Sequence, residues 1–355
     1  MQTFDPTYPL LPISSVLCAA LLLLVLFTRA IGGTWNLGVL ILCFWLFLEN
    51  LTNGVNAVLW ADNFQVKHEV YCDIVTHVQI FSSIVRPACT LIITRRLYKI
   101  VSLRDIHGQS DFERRFNKVL EVGLAIVLPT FVTAIFYYIV QDHRFVVLEG
   151  IGCQYTVSGS ALSILLVLSW PIVLPVVSAL LYCPRIIRTF RQHNADTVEF
   201  LATNGLVTRS RYLRTLGIGC IDIVLSLPFA LFKIANLVSS VLSTSKEGRF
   251  PFYAGWHATH AHWAPAVLPG PILKTAALWT LFTTWFGVWS AVVLALAIFV
   301  LFGLSQPARE FFKCLLSRSA ESAREEGIVS RISFTPGRRS ARALVFGCSV
   351  LIDAV

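Results

Sequence analysis

The sequence predicts an all-α fold, a bundle of seven transmembrane helices. Three observations carry this. Seven apolar stretches, near 10–28, 35–60, 72–97, 118–140, 160–183, 213–242 and 276–304, each reach the roughly 20 residues that a helix needs to span hydrocarbon. The chain is 55% hydrophobic and only 14% charged, where a soluble domain carries about 25% charge. Its Lys and Arg residues collect on alternate loops.

Helix 1, Leu10 to Thr28, is an unbroken apolar run. The residues before it, MQTFDPTYP, lack a basic region, so helix 1 is expected to be an uncleaved signal anchor. Helix 2 carries Glu49, Asn53 and Asn56 at i, i+4 and i+7. Helix 3 carries Gln79, Ser82, Arg86 and Thr90 at i, i+3, i+7 and i+11. Helices 4 and 5 hold Pro129, Pro171 and Pro175. Helix 6 carries Asp222, Ser226, Lys233, Asn236 and Ser240 on one face, with Pro228 between them. Helix 7 is apolar, with Lys274 before it and no Lys inside, which argues against a retinal Schiff base. Each proline removes a backbone hydrogen bond and predicts a bend. At Pro228, such a bend is either fixed or lets the inner half of helix 6 swing.

The loops set orientation, because Lys and Arg favour the cytoplasmic side. The loops after helices 1, 3 and 5 and the tail hold 22 of them, and the opposite face holds 5. The N-terminus is expected outside and the C-terminus inside. The net charge of +9 therefore reads as insertion signal and contact with anionic membrane lipid, not as a nucleic-acid surface. Two inner loops are longer than most helix connections, which favours a cytoplasmic partner.

Polar groups in a spanning helix are costly and face the bundle interior. Three polar stripes predict an interior shared by helices 2, 3 and 6. At about 1.5 Å per residue, Arg86 lies roughly 16 Å, Asp222 roughly 15 Å and Glu49 roughly 20 Å above the inner helix ends. Depth thus matches Arg86 with Asp222, and less closely with Glu49. The pair is either a static tie or a latch that breaks on activation. Lys233, near the outer end of helix 6, is read as snorkelling to the surface.

There are nine cysteines. Cys72, at the outer end of helix 3, and Cys153, in the following outer loop, both face the oxidising side and predict a disulfide. Cys18, Cys43, Cys89, Cys183 and Cys220 read as packing residues. Cys314 follows helix 7 in an amphipathic run that suits S-palmitoylation.

Enzyme chemistry finds little support. No nucleophile, phosphate-binding glycine loop or carboxylate pair with a base stands out. His257, His260 and His262, flanked by Trp256 and Trp263, read as an ordered outer loop, with no metal or cofactor. The alternative to a receptor is a small transporter or channel, with the polar stripes lining a path. Repeated halves with broken helices, common in transporters, are not seen.

Rhodopsin-type signatures are missing at the ends of helices 3 and 7. Helix 3 instead ends in Arg86-Pro87-Ala88-Cys89, then Thr94-Arg95-Arg96-Leu97-Tyr98-Lys99-Ile100. Further pieces stand in order along the chain: Tyr71-Cys72-Asp73-Ile74, Glu149-Gly150-Ile151-Gly152-Cys153, Trp170-Pro171, Arg211-Tyr212-Leu213-Arg214 and the His257/His260 loop. Over roughly residues 35–305 the chain resembles the fungal lipopeptide mating-pheromone receptors, the a-factor receptor type of class D G-protein-coupled receptors. The resemblance implies a farnesylated peptide ligand and a heterotrimeric G protein.

On this reading residues 1–304 form the receptor domain and 305–355 a cytoplasmic tail. Asp73, His77, Lys233, Asn236, Trp256, His257 and His260 are candidates for an outer ligand pocket. Arg95, Arg96, Tyr98, Lys99, Arg211 and Arg214 are candidates for G-protein contact. The reading leaves room for a homo-oligomer.

Overall fold

A computed structural model describes residues 8–31, 37–101, 111–192, 209–244, 248–271 and 278–304. Seven long helices appear among them. They are α1 (Leu10–Ile31), α2 (Leu37–Leu59), α3 (Glu69–Val101), α4 (Asp111–Val140), α5 (161–192), α6 (Arg209–Thr244) and α7 (Leu278–Ile298, continued by a π-turn Phe299–Gly303). Six have a stretch long and apolar enough to cross a membrane. The seventh, α3, carries Glu69, Asp73 and Arg86 along its length, and its middle is enclosed, with Ile80, Ile84, Val85, Ala88 and Cys89 fully buried. Charge is tolerated there because neighbouring helices, not lipid, surround it.

The helices run past the apolar limits read from the sequence, mostly into polar residues. Asp111 to Lys118 extends α4, and Cys183–Gln192 extends α5 as an amphipathic segment. Helical hydrogen bonding continues outside the apolar span because leaving it would strand backbone groups. Large apolar side chains such as Val70, Leu180 and Val224 are exposed around the bundle. A surface this apolar suits contact with lipid.

The prolines act differently from one another. Pro129 lies between two π-turns, Gly123–Val127 and Val132–Phe136. The helical run of α5 is interrupted at Ser169, just before Trp170 and Pro171, and Pro175 precedes a π-turn at Ser178–Tyr182. Pro87 and Pro228 sit inside α3 and α6 with helix on both sides. Here the missing N–H frees one carbonyl without ending the helix.

Packing between helices uses small residues and side-chain-to-backbone bonds. At Gly54 a Cβ would lie 2.8 Å from Cγ2 of Val16, so glycine sets the approach of α2 to α1. Asn50 donates to the Ala291 carbonyl at 3.3 Å, tying α2 to α7. The Thr94 and Ser178 hydroxyls meet at 2.7 Å between α3 and α5.

A three-stranded sheet, not foreseen from sequence, closes one end of the bundle. β1 (Val146–Leu148) pairs antiparallel with β2 (Gly152–Gln154) and parallel with β3 (Ala266–Leu268). Strand alternation divides their side chains. Val147 packs with Trp60, Phe145 and the Cys72 and Cys153 side chains, while Val146, Leu148 and Gln154 face the bundle interior. Gly152 has φ +84°, and a Cβ there would lie 2.8 Å from Cβ of Asn56. Only glycine meets both conditions. The opposite end of the bundle carries the basic residues of α3, α5 and α6.

Candidate functional site

Beneath the sheet lies a cavity of about 290 Å³ lined by α2, α3, α5, α6 and α7. Its lining mixes polar side chains, among them Asn53, Gln79, Ser226 and Thr283, with apolar ones, among them Leu168, Phe229 and Val288. Val146 and Leu148 form its roof. Gln79 holds that roof in place: its Nε2 donates to the Cys153 carbonyl at 2.9 Å, and its Oε1 accepts from the Tyr155 amide at 3.3 Å. Asn56 donates to the same carbonyl at 3.2 Å. The roof is also bonded covalently, because Cys72 of α3 and Cys153 of β2 form a disulfide with Cα atoms 5.3 Å apart.

At the floor, three charged side chains from three helices converge. Arg86 Nη1 donates to Glu49 Oε1 at 3.3 Å, and Arg86 Nη2 lies 3.8 Å from Asp222 Oδ1. Asp222 is fully buried, and its Oδ2 accepts from Thr90 at 2.6 Å. Depth along the helices favoured Asp222 as the partner. In the structure the closer contact is to Glu49, because an arginine side chain reaches several ångströms along a helix axis. The result is one cation shared by two anions. Glu49 Oε2, Arg86 Nε and Asp222 Oδ1 have no hydrogen-bond partner, so the cluster is only partly satisfied.

Of the seven pocket candidates from sequence, Lys233 lines this cavity and the other six do not. Lys233 does not snorkel away. Its ammonium donates to the Tyr155 hydroxyl and lies 4.1 Å from that ring's centroid. Asp73 accepts from Arg144 at 3.0 and 2.6 Å, and Arg144 also donates to Glu69 at 2.6 Å. The Asp73 hydrogen bonds raise Arg144 above its already high ordinary pKa, so this clamp keeps its cation. His77 is exposed and meets Tyr137 edge-on at 5.8 Å. Asn236 accepts from Thr280 at 3.2 Å, joining α6 to α7.

Trp256, His257 and His260 lie in or beside a one-turn helix, Trp256–Thr259, at the sheet end. His260 stacks between Trp256 at 4.0 Å and Trp263 at 5.2 Å, and its ring nitrogens face the Trp256 and Tyr138 carbonyls at 2.9 and 3.0 Å. His257 is exposed. Each ring nitrogen of His260 faces a backbone carbonyl, and the protonated one donates; among the described residues no group of three His, Cys, Asp or Glu side chains converges as a metal site.

At the basic end, Arg95 and Lys99 both donate to Asn117 Oδ1, tying α3 to α4. Tyr98 stands 5.8 Å from Tyr182, with the Arg185 guanidinium over its ring. Arg96 and Arg214 are half-exposed. The Arg211 side chain, Cys314 and residues 305–355 lie outside the described residues.

Sequence reasoning missed Tyr155 and the contribution of α7. Thr280, Thr283, Thr284, Gly287 and Ser290 make a small-residue stripe on α7, four of them at the cavity. Their i, i+3, i+4, i+7 and i+10 spacing was the available signal. The aromatic residue two places after Cys153 was the signal for Tyr155.

A seven-helix membrane bundle with a roofed cavity at one end and a buried charge cluster beneath it has the architecture of a receptor. The chain belongs to the STE3 family of pheromone A receptors, whose pattern matches residues 10–320. It is 29% identical over 310 residues to the pheromone B alpha 2 receptor of Schizophyllum commune, covering 86% of this chain and 45% of that protein. It is 29% identical over 338 residues to the pheromone B alpha 3 receptor of Schizophyllum commune (strain H4-8 / FGSC 9210), covering 95% and 51%. Similarity extends to the pheromone a factor receptor of Saccharomyces cerevisiae, 24% over 288 residues, covering 80% and 57%. The chain spans about half the length of the curated relatives it matches most strongly. The family is one of receptors, not enzymes, and the chain is a multi-pass protein of the plasma membrane.

Proposed function

We propose that this chain is a G-protein-coupled receptor for a prenylated, farnesylated peptide mating pheromone. The sheet end lies outside, residues 1–304 form the receptor domain, and 305–355 form a cytoplasmic tail. The observation that carries the reading is the cavity itself. It offers apolar side chains to a lipid chain and polar side chains to peptide groups, directly above a charge cluster that joins α2, α3 and α6.

The mechanism follows from that stacking. A ligand seated against Phe229 and Gln79 touches α6 and α3 above Arg86. A ligand shifts an equilibrium only by binding one state better than the other. Contacts that favour a different spacing of α3 and α6 lengthen the Arg86–Asp222 contact first, since it is already the looser of the two. Pro228 lies between Asp222 and Lys233 and frees the Val224 carbonyl. The inner half of α6 then moves relative to α3 and opens the basic end, where Arg96 and Arg214 meet a heterotrimeric G protein. Anionic lipid flanks that same end.

A peptide carrying a photoreactive farnesyl analogue tests the site. The reading expects cross-links at Phe229, Val288 or Leu168. Labelling confined to lipid-facing positions such as Val224 and Leu180 contradicts it.

A further inference from the structure

The cavity is lined by two cations, and their surroundings differ. Arg86 is matched by two carboxylates. Among the described residues, the Lys233 ammonium bonds Tyr155, through its hydroxyl and its ring face. Among the described residues, no carboxylate oxygen lies within 4.0 Å of its ammonium. Asp222 cannot serve, because eleven residues along α6 place it roughly 16 Å away. Arg144, the nearest basic residue in the roof loop, holds Asp73 and Glu69 for itself.

A half-buried ammonium with no carboxylate beside it gains much from a counter-ion. Its bond to a phenol is weaker than a charge-assisted bond to a carboxylate. The Tyr155 ring packs edge-on against Tyr137 at 6.3 Å, while its hydroxyl bonds Lys233, so the hydroxyl can give up the ammonium while the ring stays packed. The geometry points to Lys233 as a specificity-determining residue that selects ligands bearing a carboxylate close to the apolar chain. The carboxylate displaces the Tyr155 hydroxyl from the ammonium. This rests on the cavity being the ligand site, and it adds the charge of the ligand to that reading. The carboxylate belongs to an acidic side chain or to a free C-terminus.

The test selects binders from a library of S-farnesylated synthetic peptides on the full chain in lipid nanodiscs. Each binder is remade with every Asp or Glu as its amide, and separately with its C-terminus as the methyl ester. Neutralising one carboxylate should weaken binding to the wild-type chain about ten- to hundredfold, as expected for a hydrogen bond to a charged group. The arm that shows the loss names the source. Lys233→Gln should bind charged and neutral forms within about twofold of each other, while Lys233→Arg keeps the discrimination. Tyr155→Phe, which removes the competing hydroxyl and keeps the ring, should bind the carboxylate form more tightly. Equal affinity of charged and neutral peptides for the wild-type chain overturns the assignment and leaves the cavity reading standing. So does an equal loss in wild type and Lys233→Gln. Saturable binding by no prenylated peptide overturns both.

Discussion

Arg86 stands 3.3 Å from Glu49 with one terminal nitrogen, and that contact leaves its other nitrogen 3.8 Å from Asp222. Both carboxylates therefore compete for one guanidinium in the middle of the bundle. Removing one partner of a buried pair typically costs about 3–5 kcal/mol, but here a second partner remains. Asp222→Asn should fold, keep its Thr90 hydrogen bond, and raise ligand-free signalling in a reporter assay. Basal signalling unchanged at normal surface level would make the contact purely structural. Exchanging the charges, Arg86→Asp with Asp222→Arg, should partly restore silence.

Because the two carboxylates share Arg86, their effects should not add. Glu49→Gln and Asp222→Asn alone should each reach the cell surface. The double variant leaves a buried, unpaired guanidinium, costly in a membrane, and should be largely retained inside. Surface levels by flow cytometry decide this. Additive, mild losses would show that Arg86 finds water or another partner.

The Cys72–Cys153 bridge and Gln79 hold the same β2 segment. Peptide mapping without reduction should recover Cys72 and Cys153 cross-linked from surface-expressed protein, and two free thiols there would refute the bridge. Gly152→Ala should lower the thermal midpoint, because a Cβ meets Asn56 and the φ of +84° is unfavourable for alanine.

Much of this architecture was legible in advance. Each apolar stretch became a helix, because satisfying backbone groups in lipid leaves few alternatives. The charge cluster was legible because polar residues at helical spacing must turn inward. The roof was not. β1 and β3 are three residues each, lie 120 positions apart, and pair through bonds that no local pattern announces. That six of the pocket candidates lie away from the cavity has a related reason. Asp73 and Asn236 look available in sequence, yet Arg144 and Thr280 from distant segments occupy them.

Arg95 and Arg96 are adjacent in sequence but do different work. Arg95 donates to Asn117 at 2.9 Å and ties α3 to α4, whereas Arg96 makes no tie of this kind among the described residues. Arg96→Ala should cut G-protein activation while leaving ligand binding, surface level and thermal stability near wild type. Arg95→Ala should also lower stability, by about 1 kcal/mol for one hydrogen bond to a charged group that partly exposed sites replace with water. If Arg96→Ala signals normally, its charge serves insertion alone.

His260 joins the outer loop to α4 through the Tyr138 carbonyl and its aromatic neighbours. His260→Phe keeps the stacking and loses the hydrogen bond that the protonated ring nitrogen gives to backbone, and His260→Ala loses everything. Hydrogen exchange of residues 253–263 should rise modestly in the first and strongly in the second. No difference from wild type in either would mean that the loop is held by other contacts.

Nucleotide exchange tests the central claim most directly. The purified chain in nanodiscs is mixed with a fungal heterotrimeric G protein and a panel of synthetic farnesylated peptides, and GTPγS uptake is followed. The account predicts that at least one peptide accelerates uptake well above the ligand-free rate, and that its unprenylated form does not. Solute flux in proteoliposomes, with no peptide ever stimulating exchange, would contradict it and favour a transporter.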